Sequence, residues 1–246
     1  MMEKKILGVI GGLGPMATAY FLRLVTDMTD AQTDQEHIET VIISRPATPD
    51  RTSYILGKSD DSPLRQLIRM EEDVCKLGAK VIAMPCITAH YFQKELDQNL
   101  GKYQDAQFID GLKETALFLS ERGIKSCGIM ATDGTIESKL FQNTFEKYGI
   151  KSLVPDNESQ KLVMAIIYDY VKKGIRPRNE DFQKVYSKLK EAGAQVVLLG
   201  CTELSMIKRD LGVSSDVLDV LEVLARKSVI ECGSLKESYN NLGLQI

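Results

Sequence analysis

The sequence predicts an α/β protein of two pseudo-symmetric halves, each a mostly parallel sheet flanked by helices, with a candidate ligand site in the cleft between them. Two observations support this fold class. Short apolar segments alternate with longer amphipathic ones, as in layered α/β folds. The chain also repeats itself loosely, because both parts contain an apolar segment that runs into a glycine turn and another that runs into Cys and Thr.

The predicted strands are short, rich in β-branched residues and bounded by Gly, Pro or polar residues, as expected for buried parallel strands. In chain order they cover residues 6–10, 41–44, 81–84, 127–130 and 196–199, with weaker candidates at 108–109 and 152–154. The predicted helices have apolar residues at helical spacing. They cover residues 15–29, 63–77, 88–99, 111–122, 136–148, 157–173, 179–192 and 216–230.

The repeat predicts a first half over residues 1–105 and a second over residues 106–213. Ligands of open α/β sheets bind beyond the carboxyl ends of the strands, so a cleft between the halves is the expected site. The last predicted helix lies in the segment 214–246, which we expect to pack back on the first half. The chain has no Gly/Ser-rich or Pro-rich linker near residue 105.

Composition and charge narrow the range of partners. The 246 residues are 43% hydrophobic and 26% charged, which is typical of globular proteins with a sizeable core. The formal net charge of −3 gives no electrostatic reason to expect nucleic acid or an anionic membrane surface. No apolar run approaches the roughly 20 residues of a transmembrane helix, and the N-terminal residues lack the apolar stretch of a signal peptide. We therefore expect a cytoplasmic protein that binds neither nucleic acid nor membrane.

A glycine-rich turn, GGLGPMA at residues 11–17, follows the first strand and opens the first helix. It matches the G-x-G-x-x-A pattern, but a dinucleotide site also needs an acidic residue after the second strand, where SRP stands at residues 44–46. We therefore expect no nucleotide there. Backbone N–H groups at a helix start favour an anion such as a carboxylate, and a tight turn with only a packing role is the alternative.

The segment PATPDRT, residues 46–52, follows the second strand. Its two prolines predict a fixed, exposed loop rather than a helix. Arg51 is a side chain suited to bidentate binding of a carboxylate. A solvated surface charge is the alternative, and the spacing alone favours it.

Two of the five cysteines stand in matching positions of the two halves, each after a predicted strand and before a threonine. They are Cys86, followed by Thr88, and Cys201, followed by Thr202. The pKa of a thiol falls at a helix N-terminus, which would make each a base at neutral pH. Two opposed thiols suit removal of a proton from one face of a carbon and its return to the other. Two buried small residues are an equally weighted alternative.

Other uses of the cysteines are less consistent with the pattern. No pair has the C-x₂-C spacing of a zinc site, so we expect no metal and five free thiols. Cys75, Cys127 and Cys232 are predicted to be ordinary buried residues. A Cys–His hydrolase requires a histidine beside the thiol, and His90 follows Cys86 by about one helical turn. A structural role, or a place in the lining of the site, is the more common outcome for such a histidine.

Segments MPCITAH (84–90) and GCTEL (200–204) resemble the paired cysteine motifs of aspartate racemases in the aspartate/glutamate racemase superfamily. Four further segments occur in the order that the family has. They resemble its first turn, its substrate loop, the first turn of its second domain and a late segment with a substrate-binding lysine, and they cover residues 11–18, 45–52, 131–135 and 171–174.

The resemblance implies an isomerase that interconverts L- and D-aspartate, or glutamate, without pyridoxal phosphate, metal or nucleotide. Cys86 and Cys201 would be its acid/base pair, one for each enantiomer, and Arg51 and Lys172 would pair with the side-chain carboxylate of the substrate. A homodimer and a role in D-amino-acid metabolism are expected by analogy. The resemblance implies that the amino-acid substrate is bound by Gly12, Arg51, Ile87, Thr88, Thr132, Thr135, Lys172, Thr202 and Glu203.

Two positions bear on the substrate. Glu203 favours the aspartate branch, because cell-wall glutamate racemases typically carry His there. Ile87 departs from the family motif Cys-Asn-Thr, whose Asn contacts the substrate α-carboxylate; losing such a contact costs about 1.5–3 kcal/mol. Weak activity on aspartate, a racemase or isomerase of another carboxylate or a hydantoin, and a catalytically weak binding protein on the same fold therefore stay open.

Overall fold

The computed structural model describes residues 4–244. In this part of the chain the strands are β1 (Leu7–Gly11), β2 (Thr40–Ser44), β3 (Val81–Ala83), β4 (Gln107–Phe108), β5 (Ser126–Met130), β6 (Lys151–Leu153), β7 (Val196–Leu199) and β8 (Val217–Asp219). They form two four-stranded parallel sheets, in the orders β2-β1-β3-β4 and β6-β5-β7-β8. The second order repeats the first, so the predicted fold class of two pseudo-symmetric α/β halves is confirmed.

Helices cover both faces of each sheet. They are α1 (Pro15–Met28), α2 (Arg51–Ile55), α3 (Leu64–Lys76), α4 (Gln93–Leu100), α5 (Gly111–Ser120), α6 (Asp133–Glu137), α7 (Leu140–Glu146), α8 (Asn157–Met164), α9 (Asn179–Glu191), α10 (Ser205–Leu211) and α11 (Val220–Cys232). Helices α1, α5 and α11 share one central core with strands of both sheets. Helices α3 and α4 cover the outer face of the first sheet, and α8 and α9 that of the second.

The central core explains why the strand sequences are continuous apolar runs. Leu7 and Val9 of β1 point into the central core, whereas Ile10 points into the outer core under α3. Because side chains alternate between the two faces of a strand, both sets must be apolar when helices cover both faces. The same core joins the two sheets, and the segments after their carboxyl ends both supply residues to one cleft.

The prediction of an exposed loop over residues 46–52 is wrong for its last two residues. Arg51 opens α2 and is only 7% exposed, and Thr52 is also buried. The helix begins there because the Asp50 side chain accepts a hydrogen bond of 2.8 Å from the Ser53 N–H, which is a standard N-cap. The prolines therefore fix the approach to a helix instead of excluding one.

Three predicted helices are interrupted in the structure. The segment 88–99 begins with a narrow turn, Ile87–Phe92, before α4. The segment 136–148 is divided between α6 and α7 at Lys139, whose φ of 55° ends the first helix. The segment 157–173 is regular only through α8; a wide-turn stretch, Ala165–Tyr170, and a narrow turn, Val171–Lys173, complete it. Amphipathic spacing alone does not reveal such changes of helical pitch.

The segment 216–230 was predicted as one helix, but it begins with strand β8. Asp219 ends this strand and caps α11, because its carboxylate accepts a 2.9 Å hydrogen bond from the Leu221 N–H. The preceding helix α10 was not predicted. Its short apolar part is buried beside β7, which leaves little amphipathic pattern in the sequence.

The division into two halves stays a prediction, but the membership of the sheets is clear. Strand β4, which pairs with β3, lies just beyond the predicted boundary at residues 105–106. The segment 214–246 contributes β8 to the second sheet, while α11 packs against α1 of the first half. Its last residues, 245–246, and residues 1–3 of the first half lie outside the described part. Within residues 4–244, none of the helices has the length and apolar content needed to cross a bilayer.

Candidate active site

The candidate residues follow the carboxyl ends of strands from both sheets. Cys86 follows β3, and Cys201 follows β7. Both are buried, at 6% and 5% exposure, and they line one narrow cavity of about 10 Å³ between the halves. Such a volume holds about one water molecule. The cavity is lined by Leu13, Asp50, Arg51, Thr52, Cys86, Ile87, Thr88, Thr132, Tyr168, Lys172, Cys201, Thr202 and Glu203.

Most residues predicted for the site therefore lie together. Gly12 lines a larger neighbouring cavity of about 350 Å³, which opens towards the surface. Thr135 does not line either cavity, but its hydroxyl lies 3.0 Å from that of Thr88. The roles of these residues in binding or catalysis stay predictions.

Cys201 belongs to a chain of polar side chains. Its Sγ donates to Glu203 Oε2 at 3.0 Å, and Glu203 Oε1 accepts from Lys172 Nζ at 2.6 Å. Burial, followed by the charge of Glu203, raises the pKa of Cys201 well above its ordinary value. The prediction that a helix N-terminus lowers the pKa of this thiol is wrong, because α10 begins only at Ser205 and a carboxylate lies beside the sulfur.

Lys172 is held charged by its surroundings. Burial lowers its pKa, but the charge of Glu203, which accepts its hydrogen bond, outweighs this and raises the pKa above its ordinary value. The ion pair with Glu203 is short and mostly shielded from solvent. Lys172 thus lies at the site, but its ammonium is already paired with a carboxylate of the protein.

Arg51 is a buried cation and not the solvated surface charge that the spacing favoured. Its Nη atoms donate to the carbonyl oxygens of Leu13, Thr48 and Pro49 at 2.7, 3.3 and 3.0 Å. Its buried Nε has no hydrogen-bond partner among residues 4–244. Burial lowers the pKa of Arg51, but the charges of Cys86 and Asp50 raise it above the ordinary value. Arg51 therefore brings a fixed positive charge to Cys86 and has few N–H groups left for a substrate.

His90 has a structural position. The Gly111 N–H donates to His90 Nε2 at 3.2 Å, so the neutral ring carries its proton on Nδ1, which lies 3.1 Å from the carbonyl oxygen of Cys86. Burial lowers the pKa of His90, which favours this neutral form. The ring contacts the backbone of Cys86 rather than its sulfur. This agrees with the structural role that the sequence analysis gives as the more common outcome for such a histidine.

Three threonine hydroxyls meet across the cleft. Thr88 lies 3.1 Å from Thr132 and 3.0 Å from Thr135, and the last two lie 3.1 Å apart. Thr132 also caps α6, because its hydroxyl accepts from the Thr135 N–H. Each hydroxyl can donate or accept. The cluster can therefore turn its hydrogens towards an anionic group without leaving a buried hydroxyl unpaired.

Ile87 packs into the central core, and a side chain at Gly111 would meet its Cδ1 at 3.2 Å. The Ile87 side chain therefore packs against the start of α5. Among the cavity residues, sequence reasoning missed Tyr168 and did not single out Asp50. The Tyr168 hydroxyl donates to Asp50 Oδ2 at 3.2 Å across the cleft. No sequence signal marks Tyr168, because the wide-turn stretch changes its direction relative to a regular helix.

The outer cavity is separated from the thiols by side chains that line both cavities. These are Leu13, Asp50, Arg51, Lys172 and Glu203. Its remaining lining is largely apolar and includes Met16, Val171 and Met206. A ligand that enters from the surface reaches the cysteines only when this group of side chains moves.

Comparison with known proteins gives consistent results. The sequence model of the Asp/Glu/Hydantoin racemase family matches residues 10–227. The broad specificity amino-acid racemase RacX of Bacillus subtilis (strain 168) is 22% identical over 228 residues, which are 91% of this chain and 96% of the relative. The structure of the aspartate racemase of Picrophilus torridus superimposes with a TM-score of 0.84 at 30% identity, over 98% of this chain and 100% of the other. A putative Asp/Glu racemase from Yersinia pestis shares the fold, with a TM-score of 0.75 at 24% identity over 98% of this chain and 100% of the other.

Proposed function

This chain belongs to the Asp/Glu/Hydantoin racemase family, and from that premise we propose that it is a cofactor-independent amino-acid racemase in which Cys86 and Cys201 exchange the α-proton. The observation that carries the proposal is the position of the two thiols, one from each half, on one narrow cavity at the carboxyl ends of the sheets. One thiolate removes the α-proton, and the opposite thiol donates a proton to the other face. The protons balance, and no electron is gained or lost.

The surroundings of the thiols support this chemistry. An amino-acid α-proton is weakly acidic, so the carbanion needs fixed hydrogen-bond donors in a water-poor site. The cavity is narrow and its lining is mostly buried, and the hydroxyls of Thr88, Thr132 and Thr135 form a cluster beside it. These hydroxyls are the proposed partners of the α-carboxylate. The same cluster compensates for the missing asparagine at Ile87.

Aspartate is the first substrate to test, as the sequence resemblance implies. L-aspartate and then L-glutamate are incubated with the reduced protein in D₂O, and the α-proton signal is followed by NMR together with chiral analysis. Loss of the signal with formation of the D-enantiomer is the expected result. Exchange on neither amino acid would contradict the proposed substrates, and its absence across a wider carboxylate panel would favour a binding protein.

The two thiols can be tested separately. We expect Cys86→Ala and Cys201→Ala each to lower racemisation by about 10²–10⁴-fold, because each removes one acid/base group. Cys75→Ala is the matched control, since Cys75 is a partly exposed free thiol of α3. The readout is kcat for each enantiomer, with the thermal melt as a check of folding. A folded single variant that converts both enantiomers at the wild-type rate would refute the two-base mechanism.

A second candidate is a racemase of neutral amino acids with larger side chains. The Nη atoms of Arg51 bind backbone carbonyls, and Lys172 is paired with Glu203. Little positive charge is therefore free for a second carboxylate, and the outer cavity offers apolar contacts such as Met16 and Met206. Exchange and racemisation of methionine or leucine at a higher kcat/KM than aspartate would select this candidate.

A further inference from the structure

The two thiols have nearly the same burial but opposite electrostatic neighbours. Cys201 donates to the carboxylate of Glu203, which lies between the sulfur and Lys172. Among the described residues, Cys86 makes no such hydrogen bond to a carboxylate; the buried guanidinium of Arg51, whose Nε has no hydrogen-bond partner there, lines the same cavity. A carboxylate favours the neutral thiol, and a guanidinium favours the thiolate.

We infer that Glu203 is a positioning residue that keeps Cys201 protonated in the resting protein, so that Cys201 rests as the acid and Cys86 as the base. The inference deepens the proposed function and rests on it for its catalytic meaning. In its resting form, the protein is then ready for only one enantiomer, the one whose α-proton faces Cys86. After each turnover in that direction, Cys201 must return to the thiol before the next.

Besides the two cysteines, five charged or titratable side chains of the described residues line the cavity. From α2 and its cap come Arg51 and Asp50, from the stretch 165–173 come Tyr168 and Lys172, and Glu203 follows Cys201 itself. Asp50 is turned towards the Ser53 N–H and the Tyr168 hydroxyl, and Lys172 towards Glu203. Of these groups, Glu203 alone makes a direct hydrogen bond with Cys201. It therefore sets the balance between the two thiols.

The first test measures the reactivity of each cysteine, which requires no turnover. The wild-type protein is treated with iodoacetamide between pH 6 and pH 10, and the modification of each cysteine is followed by peptide mass spectrometry. We expect Cys86 to react faster than Cys201 at neutral pH. Because their exposures are 6% and 5%, a difference in access does not account for a large difference in rate. Equal rates, or a faster Cys201, would overturn the inference.

The second test changes the carboxylate. Glu203→Gln keeps the size of the side chain but removes its charge and leaves Lys172 as the neighbour of Cys201. The pH midpoint of Cys201 alkylation should fall by about 1–3 units, while that of Cys86 changes little. Lys172→Met should move the Cys201 midpoint the other way. A purely structural role for Glu203 would change both thiols together or neither, and either of these results contradicts the inference.

Two further measurements separate this inference from the proposed function. Thiolate absorbance at 240 nm and neutral pH should fall in Cys86→Ser but not in Cys201→Ser. The reverse result, obtained with Glu203 intact, would overturn the assignment of Cys86 as the base and Cys201 as the acid. If the protein is a racemase, the upper limb of its kcat/KM profile should move to lower pH in Glu203→Gln, since the acid loses its proton earlier. A protein with the expected thiol asymmetry but no racemisation would contradict only the proposed function.

Discussion

Gly12 determines how closely the first turn approaches the chain after β2. Its φ is +87°, and a Cβ at this position would overlap the backbone nitrogen of Arg45. Both the backbone conformation and the space therefore require glycine. The neighbouring Gly14 has a different role, because a Cβ there would approach Glu203 Oε1 at 3.0 Å. The glycine turn thus leaves space for Glu203. These close approaches, and not nucleotide binding, account for its likeness to a dinucleotide motif.

Substitution of Gly12 should therefore cost more than backbone strain alone. We expect Gly12→Ala to lower the free energy of unfolding by about 1–3 kcal/mol more than Gly57→Ala, which serves as control. Gly57 also has a positive φ, of +65°, but an added Cβ there would meet nothing within 4 Å in the described part of the chain. Urea denaturation of both variants provides the measurement. Equal losses of stability would show that Arg45 can move aside at no cost.

The sequence identified the site residues better than their partners. Cys86, Cys201 and Thr202 were predicted correctly to lie at strand ends, because short apolar runs followed by small polar residues mark those ends. The pairing of Glu203 with Cys201 and the burial of Arg51 were not predicted. The burial of Arg51 depends on a distant segment, because its Nη2 donates to the carbonyl oxygen of Leu13. The Cys201–Glu203 bond joins residues only two apart, but it depends on the direction of both side chains after β7, for which a single sequence carries no signal.

At the level of elements, the sequence predicts where helices and strands lie but not where a helix is interrupted. The five main strands and helices such as α1, α3 and α9 agree with their predictions to within a few residues. The interruptions at Lys139 and at Ala165–Tyr170 were missed, since an amphipathic pattern persists through a local change of pitch. The second interruption matters for the site, because it turns Tyr168 and Lys172 towards the cleft.

Helix α3 carries a carboxyl group on its buried face, and this predicts a dependence of stability on pH. Glu71 is fully buried, and Asn99 of α4 donates to its Oε2 at 2.7 Å. Burial raises the pKa of Glu71 from 4.5 to about 7. The folded state then holds a proton that the unfolded state has lost, so this group lowers stability as the pH rises from 4.5 to about 7.

The expected size of this effect is about 3 kcal/mol, from the shift between the two values. In Glu71→Gln, the part of the pH dependence due to this carboxyl should disappear, so that the variant gains stability relative to the wild type as the pH rises. Glu72→Gln is the control on the same helix, since Glu72 pairs only loosely with Lys76 and Lys102. Urea unfolding between pH 4.5 and pH 8 tests this. Parallel curves for the wild type and Glu71→Gln would contradict the assignment.

At the scale of the whole molecule, the two halves are held closed over the thiols. The contacts across the cleft include the threonine hydroxyls, the close approach of Gly134 to Thr52, and the Tyr168–Asp50 hydrogen bond. The space beside the cysteines, about 10 Å³, cannot hold an amino acid, whereas the outer cavity of about 350 Å³ can. Substrate entry therefore requires that some of these contacts break and that the Lys172–Glu203 pair moves.

The Tyr168–Asp50 contact offers a direct test of this opening. Burial raises the pKa of Tyr168, so its hydroxyl stays protonated and can donate to the carboxylate. Tyr168→Phe removes the hydrogen bond while keeping the ring, and opening should become about 10–100-fold easier, since a bond to a charged group contributes about 1.5–3 kcal/mol. Iodoacetamide should then modify Cys86 and Cys201 faster by the same factor, whereas Glu203→Gln should change the reactivity of Cys201 alone.

The control is Tyr186→Phe, because Tyr186 donates to Asp216 at 2.8 Å in the same way but outside the cleft. Unchanged reactivity of both thiols in Tyr168→Phe would mean that the cleft opens without separating the stretch 165–173 from α2.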